Sequence, residues 1–258
     1  MSLTEKGLQA VRARIATAAQ GAGRRADSVE LIAVSKGFPA VVLVEAFALG
    51  QVAFGESYAQ EAAEKIAAVR ALLAPAGAVA NRPDLVRVVS GERQLSAPSS
   101  LALAPQWHFI GPIQSNKTHV LAEQFDWVQS IDRLKVAQRL SDQRPAGLPP
   151  LQVCIQVNIS AEATKGGVEP DAVSSLVAQV AALPRLRLRG LMAIPAPTSD
   201  VSRQRRAFRR LRELLESLIS SGWQLDTLSM GMSDDLEAAV AEGATMVRVG
   251  RAIFGERT

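Results

Sequence analysis

Short apolar runs rich in valine and isoleucine recur along the chain, and each is closed by glycine, proline or a polar residue. A continuous run of about four to eight such residues is typical of a strand that is buried on both faces of a parallel sheet. The pattern predicts eight strands, at residues 31–34, 51–55, 107–110, 125–130, 151–157, 186–194, 226–229 and 246–249.

Between these runs, apolar residues recur at three- and four-residue spacing, which predicts helices with one buried face. The pattern predicts helices at residues 3–19, 41–49, 59–73, 133–140, 171–183, 202–221 and 233–242. Ser233 is the expected cap of the last of them. Residues 74–106 are rich in proline, alanine and serine, which indicates an insertion or a long loop.

Eight strands that alternate with helices indicate a single (β/α)8 TIM barrel with an extra helix at its N-terminus. The length of 258 residues fits one such domain, residues 1–258, because α/β barrels commonly run to about 250 residues. An open, doubly wound sheet is the alternative. In a barrel, the working residues collect at the carboxyl ends of the strands.

Composition and charge narrow the function only slightly. The net charge of +4 permits an anionic ligand or nucleic acid but selects neither. The lone cysteine, Cys154, lies inside an apolar strand and is predicted to be a core residue. The two histidines, His108 and His119, have no neighbours of the kind that bind metals, so no metal site is expected.

Neither a membrane nor nucleic acid is predicted as a partner. The N-terminus lacks the apolar run of a signal peptide, and no segment approaches the roughly 20 apolar residues of a membrane helix, so a cytoplasmic protein is expected. Residues 203–212 carry six arginines, which raises the possibility of nucleic-acid binding. The apolar stripe and the arginine–glutamate spacing of that segment favour an amphipathic outer helix instead.

Lys36 follows the first predicted strand directly and is the main candidate for chemistry. A free lysine has a pKa of about 10.4, so only about one molecule in a few thousand carries a neutral amine at pH 7. Burial at a strand end lowers such a pKa and makes the amine available to form a Schiff base with a carbonyl group. The alternative is a surface lysine that happens to follow a strand.

Two glycine-bearing loops follow the seventh and eighth predicted strands. The first contains Ser229, Gly231 and Met232, and the second contains Gly250 and Arg251. Barrels commonly bind phosphate at these two loops, where backbone N–H groups at helix N-termini attract an anion. Ordinary turn glycines are the alternative interpretation of each loop.

Arg248 alternates with two valines in the last predicted strand, and a buried arginine would need a partner. A lysine near a phosphate-binding site suggests pyridoxal 5′-phosphate as the cofactor, with Lys36 as the attachment point and Arg248 as the partner of the ring nitrogen.

A series of motifs occurs in the order found in a known family. They are AVSK (residues 33–36), FGE (54–56), WHFIGPIQSNK (107–117), QVNI (156–159), LRGLMAI (188–194), LSMGMSDD (228–235) and MVRVGRAIFG (246–255). By these motifs, the sequence resembles the pyridoxal phosphate homeostasis protein family, the single-domain relatives of the alanine racemase barrel. The match runs from about residue 28 to residue 255, apart from the proline-rich stretch.

The resemblance implies a monomeric barrel that carries pyridoxal 5′-phosphate on Lys36 and supplies it to apoenzymes, with no catalytic residues. The expected cofactor-binding residues are Lys36, Asn158, Ser229, Gly231, Met232, Arg248, Gly250 and Arg251. The alternative is a small racemase-like enzyme that uses the same cofactor. The only tyrosine, Tyr58, follows the second predicted strand within reach of the rim of the cofactor, but no convincing second base for the opposite face is found in the sequence.

Two positions depart from the family pattern. Ser57 stands where the family usually has asparagine, and Arg251 stands where it usually has threonine. The first change weakens or removes a side-chain contact with the cofactor. The second removes a hydroxyl group and adds a cation, although backbone N–H groups at this position can still hold a phosphate.

Overall fold

The computed structural model describes residues 1–74, 104–160 and 166–256. Its centre is a closed barrel of parallel strands in which each strand pairs with its neighbours along the chain and the last pairs with the first. The strands are β1 (Glu30–Val34), β2 (Ala53–Glu56), β3 (Gln106–Phe109), β4 (Trp127–Ile131), β5 (Leu151–Gln156), β6 (Leu186–Met192), β7 (Thr227–Ser229) and β8 (Met246–Val249).

Helices follow the strands and cover the outside of the barrel. They are α1 (Leu3–Gly21), α2 (Ala40–Ala48), α3 (Ala59–Leu73), α4 (Thr118–Gln124), α5 (Leu134–Gln143), α6 (Val173–Ala181), α7 (Val201–Ser220), α8 (Leu236–Ala241) and α9 (Arg251–Phe254). The barrel and the extra N-terminal helix are therefore confirmed. Helices α4 and α9 were not predicted, because seven and four residues are too short to show a helical period.

The N-terminal helix is fixed against the end of the chain. Its stripe of Leu8, Val11 and Ile15 is buried in the main core. A Cβ atom added to Gly7 would come within 2.4 Å of the Ile253 carbonyl oxygen, so a glycine at this position lets α1 and α9 pack backbone to backbone. Helices α1 and α9 therefore pack directly against each other.

The expected cap of α8 is wrong. The helix begins at Leu236 with Asp235 as its N-cap, whereas the sequence pattern placed Ser233 there. The carboxylate of Asp235 accepts a hydrogen bond from the Met232 backbone N–H, which holds residues 232–235 in a turn before the helix starts. The proline-rich stretch at residues 74–106 lies mostly outside the described residues.

The apolar residues form two separate groups. The larger packs between the strands and the helices, and the smaller lies inside the barrel, where it contains Ile32, Ala53, Trp127, Cys154, Met192 and Met246. Cys154 is fully buried there, as the sequence pattern predicted. Polar side chains share this interior, namely His108, Gln129, Ser229 and Arg248, and each is at least 97% buried.

Candidate cofactor site

Lys36 lies at the carboxyl end of β1. Ile32 points into the barrel, and successive side chains alternate along a strand, so Val34 and Lys36 follow Ile32 on the interior side. The strand pairing continues through Ser35, whose N–H donates to the Gly55 carbonyl oxygen at 2.9 Å. Lys36 follows the end of β1 and is half-buried, which places it at the mouth of the barrel; its role in binding a cofactor stays a prediction.

The residues on either side of Lys36 are held by a buried ionic cluster behind the strand. Lys65 of α3 donates to the Ser35 carbonyl oxygen at 2.7 Å and to Glu61 Oε1 at 2.8 Å. Glu61 Oε1 also accepts from the Gly37 N–H at 2.7 Å. The backbone before and after Lys36 is thus anchored to one helix, which limits the positions that its side chain can reach.

The carboxylate of Glu56 completes this cluster. Its Oε1 accepts from the Ser35 hydroxyl at 2.8 Å and from Lys65 Nζ at 2.7 Å, and both ends of the ion pair are almost wholly buried. Burial raises the pKa of Glu56 above its ordinary value, while Lys65 opposes the rise. The Glu56 side chain therefore points outward from the barrel toward α3. Its contacts with Ser35 and Lys65 hold the backbone next to Lys36 in place.

Arg248 points into the barrel from β8. Its Nη1 donates to the Ser229 hydroxyl oxygen at 2.7 Å, and its Nη2 donates to the Ala193 carbonyl oxygen at 2.9 Å. Burial lowers the pKa of Arg248 to about 10, while the charge on Asp235 opposes the fall. The guanidinium is still protonated at neutral pH, so the barrel interior carries a fixed positive charge.

The pairing of β1 with β8 brings Lys36 and Arg248 to neighbouring strands. Ile32 is the register partner of Arg248, and Lys36 lies four residues farther along the chain, two residues beyond the end of β1 and on the same side. Beyond Arg248, a Cβ atom added to Gly250 would come within 3.0 Å of the Val34 carbonyl oxygen. A glycine at residue 250 therefore lets the loop after β8 approach the end of β1 closely.

The loop after β7 forms a tight turn next to this site. Gly231 has a φ of +96°, and its carbonyl oxygen accepts from the Arg248 N–H at 2.9 Å. The Met232 N–H is already bonded to Asp235 at 2.6 Å. Burial raises the pKa of Asp235, while the Met232 N–H opposes the rise. Ser229 is fully buried and bonded to Arg248, so its hydroxyl belongs to the barrel interior.

The remaining two predicted residues have other neighbours. Arg251 is exposed and its Nη2 lies 3.3 Å from Asp234 Oδ2, which links the loops after β7 and β8. Asn158 is buried at the end of β5, and its Nδ2 donates to Glu169 at 2.9 Å. In a closed barrel of eight strands, β5 lies opposite β1, so Asn158 and Lys36 are on opposite sides of the mouth.

The comparisons with known proteins agree with this architecture. Residues 7–258 match the model of the family described as alanine racemase, N-terminal domain. A pyridoxal phosphate homeostasis protein from Pseudomonas aeruginosa is 52% identical over 258 residues, which cover 100% of this chain and 97% of the relative. The chain belongs to the pyridoxal phosphate homeostasis protein family. The corresponding protein from Escherichia coli K12 is 47% identical and covers 97% of this chain and 95% of its own.

Solved structures place the family on the same fold. PipY from Synechococcus elongatus, with pyridoxal phosphate bound, is 32% identical with a TM-score of 0.67, covering 88% of this chain and 93% of its own. An alanine racemase from Corynebacterium glutamicum is 18% identical with a TM-score of 0.61, which shows a shared fold alone. The match covers 97% of this chain but 62% of the racemase, so the racemase has a further region beyond the barrel.

Sequence reasoning missed part of the site. Lys65 lies in an alanine-rich helix on the same face as the buried Ala62 and Val69, which is a position where a charge requires a partner. Gln129 is likewise a polar residue inside an apolar strand. Both signals were present in the sequence, but neither identifies the partner residue across the fold.

Substitution of Gly231 tests whether the turn after β7 can accommodate a side chain. A Cβ atom added there would lie 2.5 Å from Ala239 Cβ, in addition to the strain of the positive φ. We expect Gly231→Ala to lower the free energy of unfolding by about 2–4 kcal/mol in urea titrations. Gly222 has a similar φ of +98° and nothing within 4 Å, so Gly222→Ala should cost only about 1–2 kcal/mol. Equal losses for both variants would mean that the turn accommodates the methyl group.

Proposed function

We propose that this protein binds pyridoxal 5′-phosphate at the carboxyl end of its barrel, attaches it covalently through Lys36, and acts in the homeostasis and delivery of the cofactor. The observation that carries the proposal is the pairing of β1 with β8. It puts Lys36 and Arg248 on adjacent strands, with the Arg248 guanidinium buried in the barrel interior.

The residues present fit this cofactor. Pyridoxal phosphate supplies an aldehyde that reacts with a primary amine and an aromatic ring that accepts electrons. Lys36 would hold the aldehyde end, and Arg248, which has donors but no acceptor, would donate a hydrogen bond to the ring nitrogen. The glycine-bearing turns at Gly231 and Gly250 would receive the phosphate through their backbone.

The relatives support the same ligand. Proteins named pyridoxal phosphate homeostasis protein align with this chain over its whole length, and the PipY structure was solved with pyridoxal phosphate bound. Among the described residues, no helix has the length and apolar character needed to cross a bilayer. Apoenzymes that require the cofactor are the proposed recipients.

We further propose that the protein does not turn over amino acids. A racemase needs a base on each face of the bound substrate, and Lys36 supplies only one. The side chain of Tyr58 is 61% exposed after β2, and the His108 imidazole is fully buried inside the barrel. Arg248 would also donate to the ring nitrogen of a bound cofactor, and an unprotonated ring nitrogen would make the ring a weaker electron sink.

Titration of the apoprotein with pyridoxal phosphate tests the proposal. We expect saturable binding with a visible absorption band, transfer of the cofactor to an apoenzyme, and no exchange of the α-hydrogen of alanine in heavy water. The exchange reaction should be run over a panel of amino acids, with alanine racemase as the positive control.

Two results would count against the proposal. Absence of saturable binding would contradict the cofactor assignment. Exchange that depends on Lys36 at ordinary enzymatic rates, on the order of 1 per second or faster, would favour a racemase-like enzyme instead.

A further inference from the structure

A chain of buried hydrogen bonds crosses the barrel interior below the mouth. It runs from Arg248 Nη1 to Ser229 Oγ at 2.7 Å, from Ser229 Oγ to Gln129 Oε1 at 2.6 Å, and from Gln129 Nε2 to His108 Nδ1 at 2.9 Å. These residues come from four strands, β8, β7, β4 and β3. His108, Gln129 and Ser229 are fully buried and Arg248 is 3% exposed.

The chemistry of arginine determines the direction of the first bond in this chain, and the orientation of the Gln129 amide determines the other two. A guanidinium has only donors, so the Ser229 oxygen must accept from Arg248 and direct its own proton elsewhere. The Gln129 carbonyl oxygen receives that proton, which leaves the Gln129 amide nitrogen to donate onward. With the Gln129 amide in this orientation, Ser229 accepts from Arg248 and donates to Gln129, and turning the amide alone would place its oxygen against the unprotonated Nδ1 of His108.

The far end of the chain determines the state of His108. Because Gln129 donates to Nδ1, this nitrogen must be unprotonated, and the single proton of the neutral ring lies on Nε2. The ring is stacked on Trp127 with centroids 5.3 Å apart and planes 9° apart. The second N–H of Gln129 lies 3.6 Å from the Met246 sulfur, so the amide is restrained on both sides.

We propose that Gln129, together with Ser229 and His108, is a positioning residue that fixes the Arg248 guanidinium for the ring nitrogen of the bound cofactor. A buried chain of hydrogen bonds restricts each of its side chains to one arrangement, and His108 Nε2, at its far end, has no partner among the described residues. An arginine supported at one nitrogen only would rotate. Gln129 bonds to Ser229 rather than to Arg248, so its contribution is indirect. This role rests on the proposed function.

The first test compares two buried glutamines. Gln129→Met keeps the length of the side chain but removes its hydrogen bonds, and we expect the affinity for pyridoxal phosphate to fall about tenfold. Gln51 is 3% exposed, and its Nε2 donates to two carbonyl oxygens outside this chain, those of Leu31 and Ala53. Gln51→Met should leave the affinity within about twofold of the wild-type value. Equal affinities for the wild type and Gln129→Met would overturn the positioning role.

A double-substitution cycle separates positioning from general destabilisation. In protein that already carries Arg248→Gln, we expect Gln129→Met to cause no further loss of affinity, because the group that it positions is absent. Independent, additive losses from the two substitutions would overturn the proposal.

Nitrogen-15 spectra of the apoprotein test the chain without a cofactor or a core substitution. We expect one histidine to show an unprotonated Nδ1 and a protonated Nε2 throughout pH 5 to 8, and His119→Gln assigns it, because His119 is the only other histidine. A mixture of tautomers at His108 would overturn the chain. If the tautomer is as expected but the wild-type protein does not bind pyridoxal phosphate, the proposed function fails and the positioning role fails with it.

Discussion

Lys36→Ala should abolish the covalent attachment of pyridoxal phosphate while leaving a folded barrel. Lys36 is half-buried at a strand end, and Lys65 and Glu61 hold the backbone of Ser35 and Gly37 on either side of it. After borohydride treatment, intact-mass measurement should show the reduced adduct on the wild type and none on the variant. We expect the affinity to fall by at least about 100-fold, because only the contacts with the ring and the phosphate remain.

Lys117→Ala is the matched control for this experiment. Lys117 is half-buried in the 3-10 turn Ser115–Lys117 that follows β3, so it is a second lysine on the mouth side of the barrel. The control should keep the adduct in full. A reducible adduct that survives in Lys36→Ala and disappears in Lys117→Ala would show that Lys117, and not Lys36, is the attachment point.

The elements that sequence reasoning predicted correctly depend on local patterns. The run before Lys36 reads as a buried strand whatever its partners are, and the alternation of Arg248 with two valines places its side chain on one face. The barrel follows from the number and order of such elements. The boundaries of most strands moved by one or two residues, because strand ends depend on pairing with neighbours.

The parts of the site that sequence reasoning missed depend on register between distant strands. Glu56 appears in the sequence only as the last residue of the FGE motif, whereas its place on β2 turns the carboxylate toward α3 and Lys65. Ser229 was expected to meet a phosphate, but its hydroxyl lies between Arg248 and Gln129. A register shift between β4 and β5 also breaks simple alternation around the barrel. Contacts between residues of distant strands can be identified only once the strands are placed in the closed barrel.

The buried cluster behind Lys36 has a consequence for stability as well as for position. Among the described residues, Lys65 is the only cation that forms an ion pair with Glu56. The Lys65 and Glu56 side chains are 6% and 0% exposed. A buried ion pair contributes little in total, because desolvation offsets its attraction. Removal of one partner is costly, since the other charge stays buried without compensation.

We therefore expect Lys65→Met to lower the free energy of unfolding by about 3–5 kcal/mol in urea titrations near pH 8. Lys135→Met, at an exposed position of α5, should change it by less than about 0.5 kcal/mol. The double variant Lys65→Met/Glu56→Gln should be more stable than Lys65→Met alone, because the uncompensated charge is gone. Strictly additive losses would contradict a coupled pair.

The pH dependence of the unfolding free energy of Lys65→Met tests whether the charge on Glu56 causes the loss of stability. Burial already raises the pKa of Glu56 and Lys65 opposes the rise, so loss of Lys65 should raise it further. A carboxyl group with a higher pKa in the folded than in the unfolded protein destabilises the fold above that pKa, and the penalty fades as the pH falls through it. The deficit of Lys65→Met relative to wild type should therefore shrink as urea titrations move from about pH 8 to about pH 5. A deficit that stays constant or grows toward low pH would mean that Lys65 stabilises the fold through packing of its aliphatic chain and not through the charge on Glu56.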